Sequence, residues 1–269
     1  MNQAVECDVL VRPAVHGDSP LPYAITGRAF DRGILAADGA ISSDCMQCPF
    51  QHVCIPAQLE QDEIVRFSSI IRSTRQVKEG ATLYRSGDVF TSIYAIRAGC
   101  FKTVIAGKAG QEQISGFHLP GEFIGLDGIF DTLQACDAVA MEASAACIIP
   151  FGALEKLARD SPAIQRHLHR MLSREIRRES TVMTLLGTMS ADQRLATFLL
   201  NMSERLSCIG HSSMQFKLPM TRDELGSYLG IKLETVSRMF SRFQRMGLLS
   251  SKGRYVFILD AKGLADIGS

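Results

Sequence analysis

Several features that mark other classes of protein are missing from this sequence. Its first residues, MNQAVECDVLVRP, lack a basic segment followed by an apolar run, so we expect no secretory signal. No stretch approaches the roughly 20 consecutive apolar residues that a membrane-spanning helix needs. The chain also lacks a dinucleotide-binding fingerprint and a convincing nucleophile–base arrangement, which argues against a redox enzyme. These absences predict a cytoplasmic protein that is neither a membrane protein nor an enzyme.

Net charge is nearly absent as well, because the charged side chains of the 269 residues sum to +1. Any contact with nucleic acid must therefore come from a local basic surface and not from overall charge. Hydrophobic residues make up 46% of the chain and charged residues 21%, which is typical of a globular protein with a substantial core. The length is that of about two ordinary domains.

Eight cysteines are present, and three of them lie in the segment CMQCPFQHVC at 45–54. In a chain without an export signal, such a cluster indicates metal or redox chemistry more often than a disulfide framework. Three local thiolates and one remote thiolate fit an iron–sulfur cluster, whereas a single structural zinc and unliganded thiols are the alternatives. Spacing does not choose the remote ligand among the three cysteines of the strand-rich region, which are Cys100, Cys136 and Cys147.

The chain divides into segments of different pattern. Short apolar runs separated by glycine turns are typical of an antiparallel barrel or jelly roll. Helical patterns follow them, so we expect an α+β protein. The predicted segments are a loosely ordered N-terminal extension at 1–44, a cysteine loop at 45–60, a β-barrel domain at 61–160, a dimerisation helix at 161–187 and a winged helix-turn-helix domain at 188–269.

The dimerisation helix is predicted from a cap and a period. Ser161 and Pro162 suit a helix start, and Gly187 suits its end. Steps of three and four residues then trace a coiled-coil seam, whose predicted dimer contacts are Leu172, Ile176, Glu179, Met183 and Leu186. The alternative is a helix that packs on its own barrel, and the acidic Glu179 makes the seam imperfect.

Local signals near the C-terminus predict a helix-turn-helix. Thr221 and Glu224 form a capping box, Gly230 ends that helix, and a second helix runs from about Leu233 to Met246. The N-terminal residues of a second helix of this kind enter the major groove. We expect base contacts from Glu234, Ser237 and Arg238, and contacts to the DNA backbone from Thr235, Arg242 and Arg245. The alternative is a basic, solvated helix without a function.

These motifs together resemble the FNR family of oxygen-responsive transcription regulators, within the cyclic-AMP receptor protein superfamily. The matching stretches run from about Cys45 to Leu259 and include SIYAIRAG, EQISGFHLPGEFIGLD, CIIPF, MTRDELGSYLG and LETVSRMFSRFQ. The resemblance implies a sensory domain of the cyclic-nucleotide-binding type and a homodimer. It also implies an oxygen-labile [4Fe–4S] cluster held by Cys45, Cys48, Cys54 and Cys147.

The same resemblance implies partners and residue roles. The base-reading residues of the family fall on Glu234, Ser237 and Arg238, and the acid of its dimer helix falls on Glu179. The expected DNA site is an inverted repeat with TTGAT-like half-sites, and RNA polymerase is an expected partner.

Other ligands of the superfamily are less well supported. A cyclic nucleotide needs a cation for its phosphate, and no lysine or arginine lies between Pro120 and Ala146. Haem needs an axial ligand, and the available His118 is a lone barrel histidine, which is usually structural.

The resulting hypothesis is a cluster-controlled dimer. Two Glu179 carboxylates that meet across the seam would repel each other, so that cluster binding decides between monomer and dimer. The alternative is a zinc-stabilised DNA-binding regulator that does not respond to oxygen.

Overall fold

The computed structural model describes residues 44–54, 59–107 and 112–268. The predicted N-terminal extension therefore lies outside the described residues, apart from Asp44. In chain order the elements are α1 (Gln61–Ile70), β1 (Ser73–Val77), β2 (Thr82–Tyr84), β3 (Ser92–Ala98), β4 (Phe101–Ala106), β5 (Glu112–His118), β6 (Phe123–Ile124), β7 (Asp137–Ala140), β8 (Ser144–Pro150), α2 (Phe151–Asp160), α3 (Pro162–Thr188), α4 (Ala191–Cys208), β9 (Gln215–Lys217), α5 (Arg222–Leu229), α6 (Leu233–Arg245), β10 (Leu249–Lys252), β11 (Tyr255–Ile258) and α7 (Ala261–Gly268).

The strands between residues 73 and 150 form two antiparallel sheets of four strands each. Their orders are β1-β8-β3-β6 and β2-β7-β4-β5. Apolar side chains from both sheets meet in a core between them, which includes Val77, Leu83, Ile96, Phe101 and Ala146. The predicted α+β fold and jelly roll are confirmed, although the two sheets do not close into a barrel.

A second core lies on the outer face of the sheet that contains β3 and β8. Successive side chains of a strand point to opposite faces, so Ile93 and Ala95 face this core while Ile96 faces the core between the sheets. Helices α1 and α2 and the first half of α3 close the second core with Phe67, Leu154, Ile164 and Met171 among other residues.

Helix α3 follows its predicted bounds to within one residue. The Ser161 side chain accepts a hydrogen bond from the Ile164 N–H, and Pro162 occupies the first helical position, where its missing N–H costs nothing. Neither this 27-residue helix nor any other described helix is long and apolar enough to cross a membrane.

The C-terminal unit combines α4–α7 with a three-stranded sheet in the order β10-β11-β9. The predicted capping box is present at the start of α5, where the Thr221 and Glu224 side chains and backbone N–H groups pair reciprocally. Gly230 ends α5 in the left-handed conformation, with φ of 64°, which glycine adopts without steric cost. The turn leads directly into α6, so the predicted helix-turn-helix and β-wing are confirmed.

Candidate functional site

Four of the eight cysteines line one cavity. Cys45, Cys48 and Cys54 come from the loop before α1, and Cys147 comes from β8. The open space of the cavity, including the part that reaches solvent, is about 380 Å³. Its other walls are Phe50, Gln51, Phe67, Ile71, Ala95, Ile96, Arg97 and Ile149. The structure thus brings together the four cysteines that the resemblance indicates.

The part of the cysteine loop that the structure describes next to Asp44, residues 45–54, is held by contacts on several sides. A 3₁₀ turn at Cys45–Gln47 is capped by Asp44, whose carboxylate accepts from the Met46 N–H. The Cys45 N–H donates to Ser68 Oγ of α1 at 3.1 Å. On the opposite side the loop packs so closely on Gly121 that a Cβ there would lie 2.3 Å from a Val53 methyl carbon.

The core that each side chain faces explains why Cys147 reaches the cavity while Cys100 and Cys136, the other two cysteines of the strand-rich region, do not. In the antiparallel ladders, Cys147 lies opposite Ala95 of β3 and Thr74 of β1, and its side chain enters the core beneath the cysteine loop. Cys136 is buried in the core between the two sheets. Cys100 faces a third core, which the second sheet shares with the C-terminal unit.

Burial dominates the chemistry of the innermost thiols. Burial raises the pKa of the Cys45 thiol to about 11, and the neighbouring Cys147 and Cys48 add to the rise while a hydrogen bond with Ser68 opposes it. Burial also raises the pKa of the Cys147 thiol, against the opposing effects of Thr74 and Arg97. A metal bound here would have to displace these protons, because thiolates are the ligands.

The cavity suits an iron–sulfur group in its donors and its walls. Four cysteine sulfurs are the usual ligand set of such clusters, and an apolar wall limits access of solvent to the site. Phe50 and Phe67 provide much of that wall and are buried. No sequence motif indicates that Phe67 and Arg97 line the cavity. Phe50 could have been predicted, because it is the aromatic residue within the cysteine run.

Helix α6, the second helix of the helix-turn-helix and the predicted recognition helix, presents its predicted DNA-contacting side chains to solvent. Glu234, Ser237 and Arg238 are exposed, and Thr235 is half-buried. The opposite face, including Val236 and other apolar residues, is buried in the core of the C-terminal unit. The predicted base-reading residues therefore share one accessible face at the N-terminal end of the helix.

The two predicted phosphate-binding arginines of α6 are in different situations. Arg245 is exposed near the end of the helix. Arg242 donates from Nη1 to Asp192 Oδ2 of α4 at 2.7 Å, in a pair that is half-exposed. Arg242 would have to share or leave this carboxylate in order to bind a phosphate.

Helix α3 has an inner and an outer face. Its inner face is buried through Ile164, His167, Met171 and Leu185. On its outer face, Ile176 is 64% and Met183 74% exposed, Glu179 is exposed and Leu172 is half-buried. Leu186 differs from these residues, because it packs partly against the core of the C-terminal unit.

The C-terminal unit is docked on the second sheet through partly buried ionic contacts that the sequence did not reveal. Arg205 of α4 donates two hydrogen bonds to the Glu122 carboxylate, at 2.8 and 2.7 Å, and Arg178 of α3 lies 4.0 Å from it. Burial opposes ionisation of Glu122, but the two arginines hold the pKa of its carboxyl below the usual value. Lys102 of β4 and Glu224 of α5 form a second pair at 2.8 Å.

His118 has a structural role in the same region. Its Nδ1 accepts from Arg178 at 3.0 Å, and its Nε2 lies 3.1 Å from Thr103 Oγ1. Burial and the nearby arginines lower the pKa of this imidazole well below its ordinary value. Both ring nitrogens are engaged, as expected for a structural histidine.

Two family models match the chain. One is described as a cyclic nucleotide-binding domain and matches residues 74–161, and the other as a Crp-like helix-turn-helix domain and matches residues 193–267.

Similar proteins include the transcriptional activator protein FnrA of Stutzerimonas stutzeri, which is 44% identical over 82% of this chain and 90% of its own. The anaerobic regulatory protein of Haemophilus influenzae is 38% identical over 85% of this chain and 89% of its own. Among solved structures, FixK2 from Bradyrhizobium japonicum matches with a TM-score of 0.68 and 29% identity, over 73% of this chain and 97% of its own. The chain therefore belongs to the FNR family of oxygen-responsive transcription regulators, in the cyclic-AMP receptor protein superfamily, and it is not an enzyme.

Proposed function

We propose that Cys45, Cys48, Cys54 and Cys147 hold a [4Fe–4S] cluster, and that this protein binds DNA as a dimer only while the cluster is present. The observation that carries the proposal is the convergence of these four thiols on one cavity. When bound, such a cluster supplies four bonds that join the cysteine loop to β8, together with sensitivity to oxygen.

The cysteine loop and the dimer helix are connected through α1. The Cys45 N–H is bound to Ser68 at one end of α1, and Glu63 near its other end accepts a 2.6 Å hydrogen bond from Ser161, the cap of α3. Cys45 and Cys147 also share one apolar core with Ile164 and other residues of α3. Ordering of the loop therefore favours one placement of α1 and of the start of α3.

The outer face of α3 is the proposed dimer interface. Its exposed apolar side chains, Ile176 and Met183, would be buried by a second copy of the helix. Glu179 lies between them and is exposed, so two copies would bring like charges together. The dimer is then marginal, and a small additional contribution from the ordered loop decides whether it forms.

DNA recognition is assigned to α6. We infer base contacts from Glu234, Ser237 and Arg238, and backbone contacts from Thr235, Arg242 and Arg245. A two-fold dimer would present two such helices, which requires a symmetric site, and we infer an inverted repeat with TTGAT-like half-sites. Family membership also supports RNA polymerase as a partner. The cations near Glu122 are engaged by that carboxylate, which fits the expectation that no cyclic nucleotide binds.

The test measures iron, acid-labile sulfide and zinc in protein purified without oxygen, with a Mössbauer spectrum before and after exposure to air. We expect about four iron and four sulfide per chain, lost or converted in air. The variant C147A should lack the cluster, whereas the matched control C136A, which removes a buried thiol from a different core, should keep it.

DNA binding and assembly complete the test. Anaerobic protein should shift an inverted-repeat duplex and sediment as a dimer, and C147A should do neither. Stoichiometric zinc without iron, with DNA binding that is the same in air, would instead establish the zinc-stabilised regulator.

A further inference from the structure

A buried arginine lies beside the four cysteines. Arg97 of β3 is only 8% exposed, although arginine is almost never fully buried unless it is paired. Its side chain lines the same cavity as Cys45, Cys48, Cys54 and Cys147. None of the roles assigned above to the loop, the dimer helix or the recognition helix uses this residue.

A β-bulge places Arg97 at this position. In the ladder between β3 and β8, Ile96 pairs with Ala146 and Ala98 pairs with Ala145, so that Arg97 is the extra residue. Bulges redirect a side chain and are common next to functional sites. Two positions earlier, Ala95 lies directly opposite Cys147. The bulge therefore turns the Arg97 side chain towards the cavity that Cys147 also lines.

Within residues 44–54, 59–107 and 112–268, no carboxylate forms an ion pair with Arg97. The ion pairs among the described residues include Arg178, Arg205 and Arg242 but not Arg97. Its Nε–H is buried and finds no hydrogen-bond partner in the described parts of the chain. A buried cation and an unmade hydrogen bond are both costly, so this arrangement indicates an anionic acceptor in the cavity.

We propose that Arg97 is a positioning residue for the cluster, whose guanidinium balances the negative charge of the thiolate-bound group and donates a hydrogen bond to one of its sulfur atoms. The inference rests on the proposed function. Hydrogen bonds to sulfur and nearby charge are among the determinants of cluster potential. A reduced cluster carries one more electron than an oxidised one, so a neighbouring cation raises the reduction potential.

The test compares R97Q with R97K and with R66Q. Arg66 is exposed on α1, next to the cavity residue Phe67, so R66Q makes the same charge change outside the cavity. The measurements are the midpoint potential of the anaerobic protein and the rate at which an iron chelator extracts its iron.

We expect R97Q to shift the potential to more negative values and to lose iron about tenfold faster, because a charge-assisted hydrogen bond is removed. R66Q should match the wild type. R97K should return the potential towards the wild-type value, since it restores the charge, while its iron loss stays intermediate because lysine lacks the fork geometry of arginine.

Each outcome separates this inference from the proposed function. If the wild type holds no iron–sulfur cluster, the proposed function fails. If the wild type holds one and R97Q matches R66Q in both measurements, only the role of Arg97 is refuted. Circular dichroism would show whether R97Q is folded. If it is folded but holds no iron, recovery of iron in R97K supports the role of Arg97. Failure of R97K to recover iron refutes the proposal that Arg97 balances the charge of the cluster.

Discussion

Removing the charge of Glu122 should loosen the C-terminal unit from the sensory sheets. Glu122 joins the turn after β5 to Arg205 of α4 through two hydrogen bonds. The Arg205 side chain is 9% exposed and that of Glu122 is 30% exposed, so the arginine is the more deeply buried partner. The variant E122Q keeps the size and one oxygen acceptor but leaves Arg205 without its counter-charge.

The expected cost follows from these contacts. Breaking a fully buried pair by removing one partner costs about 3–5 kcal/mol, and this pair is partly exposed and keeps one hydrogen bond in E122Q. We therefore expect the free energy of unfolding to fall by about 2 kcal/mol. With a urea dependence of about 2.5 kcal/mol per molar, the unfolding midpoint would fall by roughly 0.8 M.

The assay is equilibrium urea unfolding followed by circular dichroism, for E122Q, R205Q and the double variant. The exposed Glu142 provides the control, because E142Q makes the same charge change outside any buried pair. A coupling energy of about 1–2 kcal/mol between positions 122 and 205 is expected. If E122Q unfolds like E142Q and the two changes add without coupling, the pair does not join the two units as argued.

Three other predictions concern the cysteine loop, the inner face of α3 and its outer face. The variant G121A should lower the free energy of unfolding by about 1–2 kcal/mol and lower the iron content, because φ of 87° is strained for alanine and the new methyl group displaces the cysteine loop. The control is G152A, because an added Cβ at position 152 has no atom within 4 Å. Equal iron content in the two variants would contradict the prediction. Burial, with nearby positive charges, lowers the pKa of His167 to about 4, so the unfolded chain takes up a proton first as pH falls below 6.5 and stability falls with it. Between pH 7 and pH 4.5, the free energy of unfolding measured in urea should fall by about 2.5 kcal/mol more for the wild type than for H167Q. The control H169Q, at an exposed site on the same helix, should behave like the wild type. The variant E179A should dimerise in air about tenfold more tightly by sedimentation, since the like charges are removed, and an unchanged monomer would rule out the repulsion.

Local signals were sufficient to predict the helix-turn-helix. The capping box of Thr221 and Glu224, the left-handed Gly230 and the start of α6 at Leu233 all act between neighbouring residues. Such signals can be read along the chain, because the groups that satisfy one another lie within a few positions.

The fourth cysteine could not be chosen in this way. Cys100, Cys136 and Cys147 are all buried in the strand-rich region, but each faces a different core. Strand register decides which core each of them faces, and register depends on pairing between distant strands. The resemblance supplied Cys147, and the pairing of Cys147 with Ala95 and Thr74 provides the physical reason for its place in the cavity.

The arginines that pair with Glu122 also could not be predicted from neighbouring residues. The acidic stretch around Glu122 contains no lysine or arginine, yet Arg205 binds it from 83 residues further along the chain. Arg97 was missed for a related reason, since its direction depends on a bulge that appears only in the paired strands.

The third core limits how far this protein can be treated as interchangeable modules. Phe117 of β5 packs against Phe198 of α4 and Tyr228 of α5, and the apolar cluster around them contains residues of both the sensory sheets and the C-terminal unit. Excising the C-terminal unit would expose half of that shared interior to water, which favours aggregation. A chimera that borrows this unit from a relative would need to carry the matching surface of β4 and β5 with it.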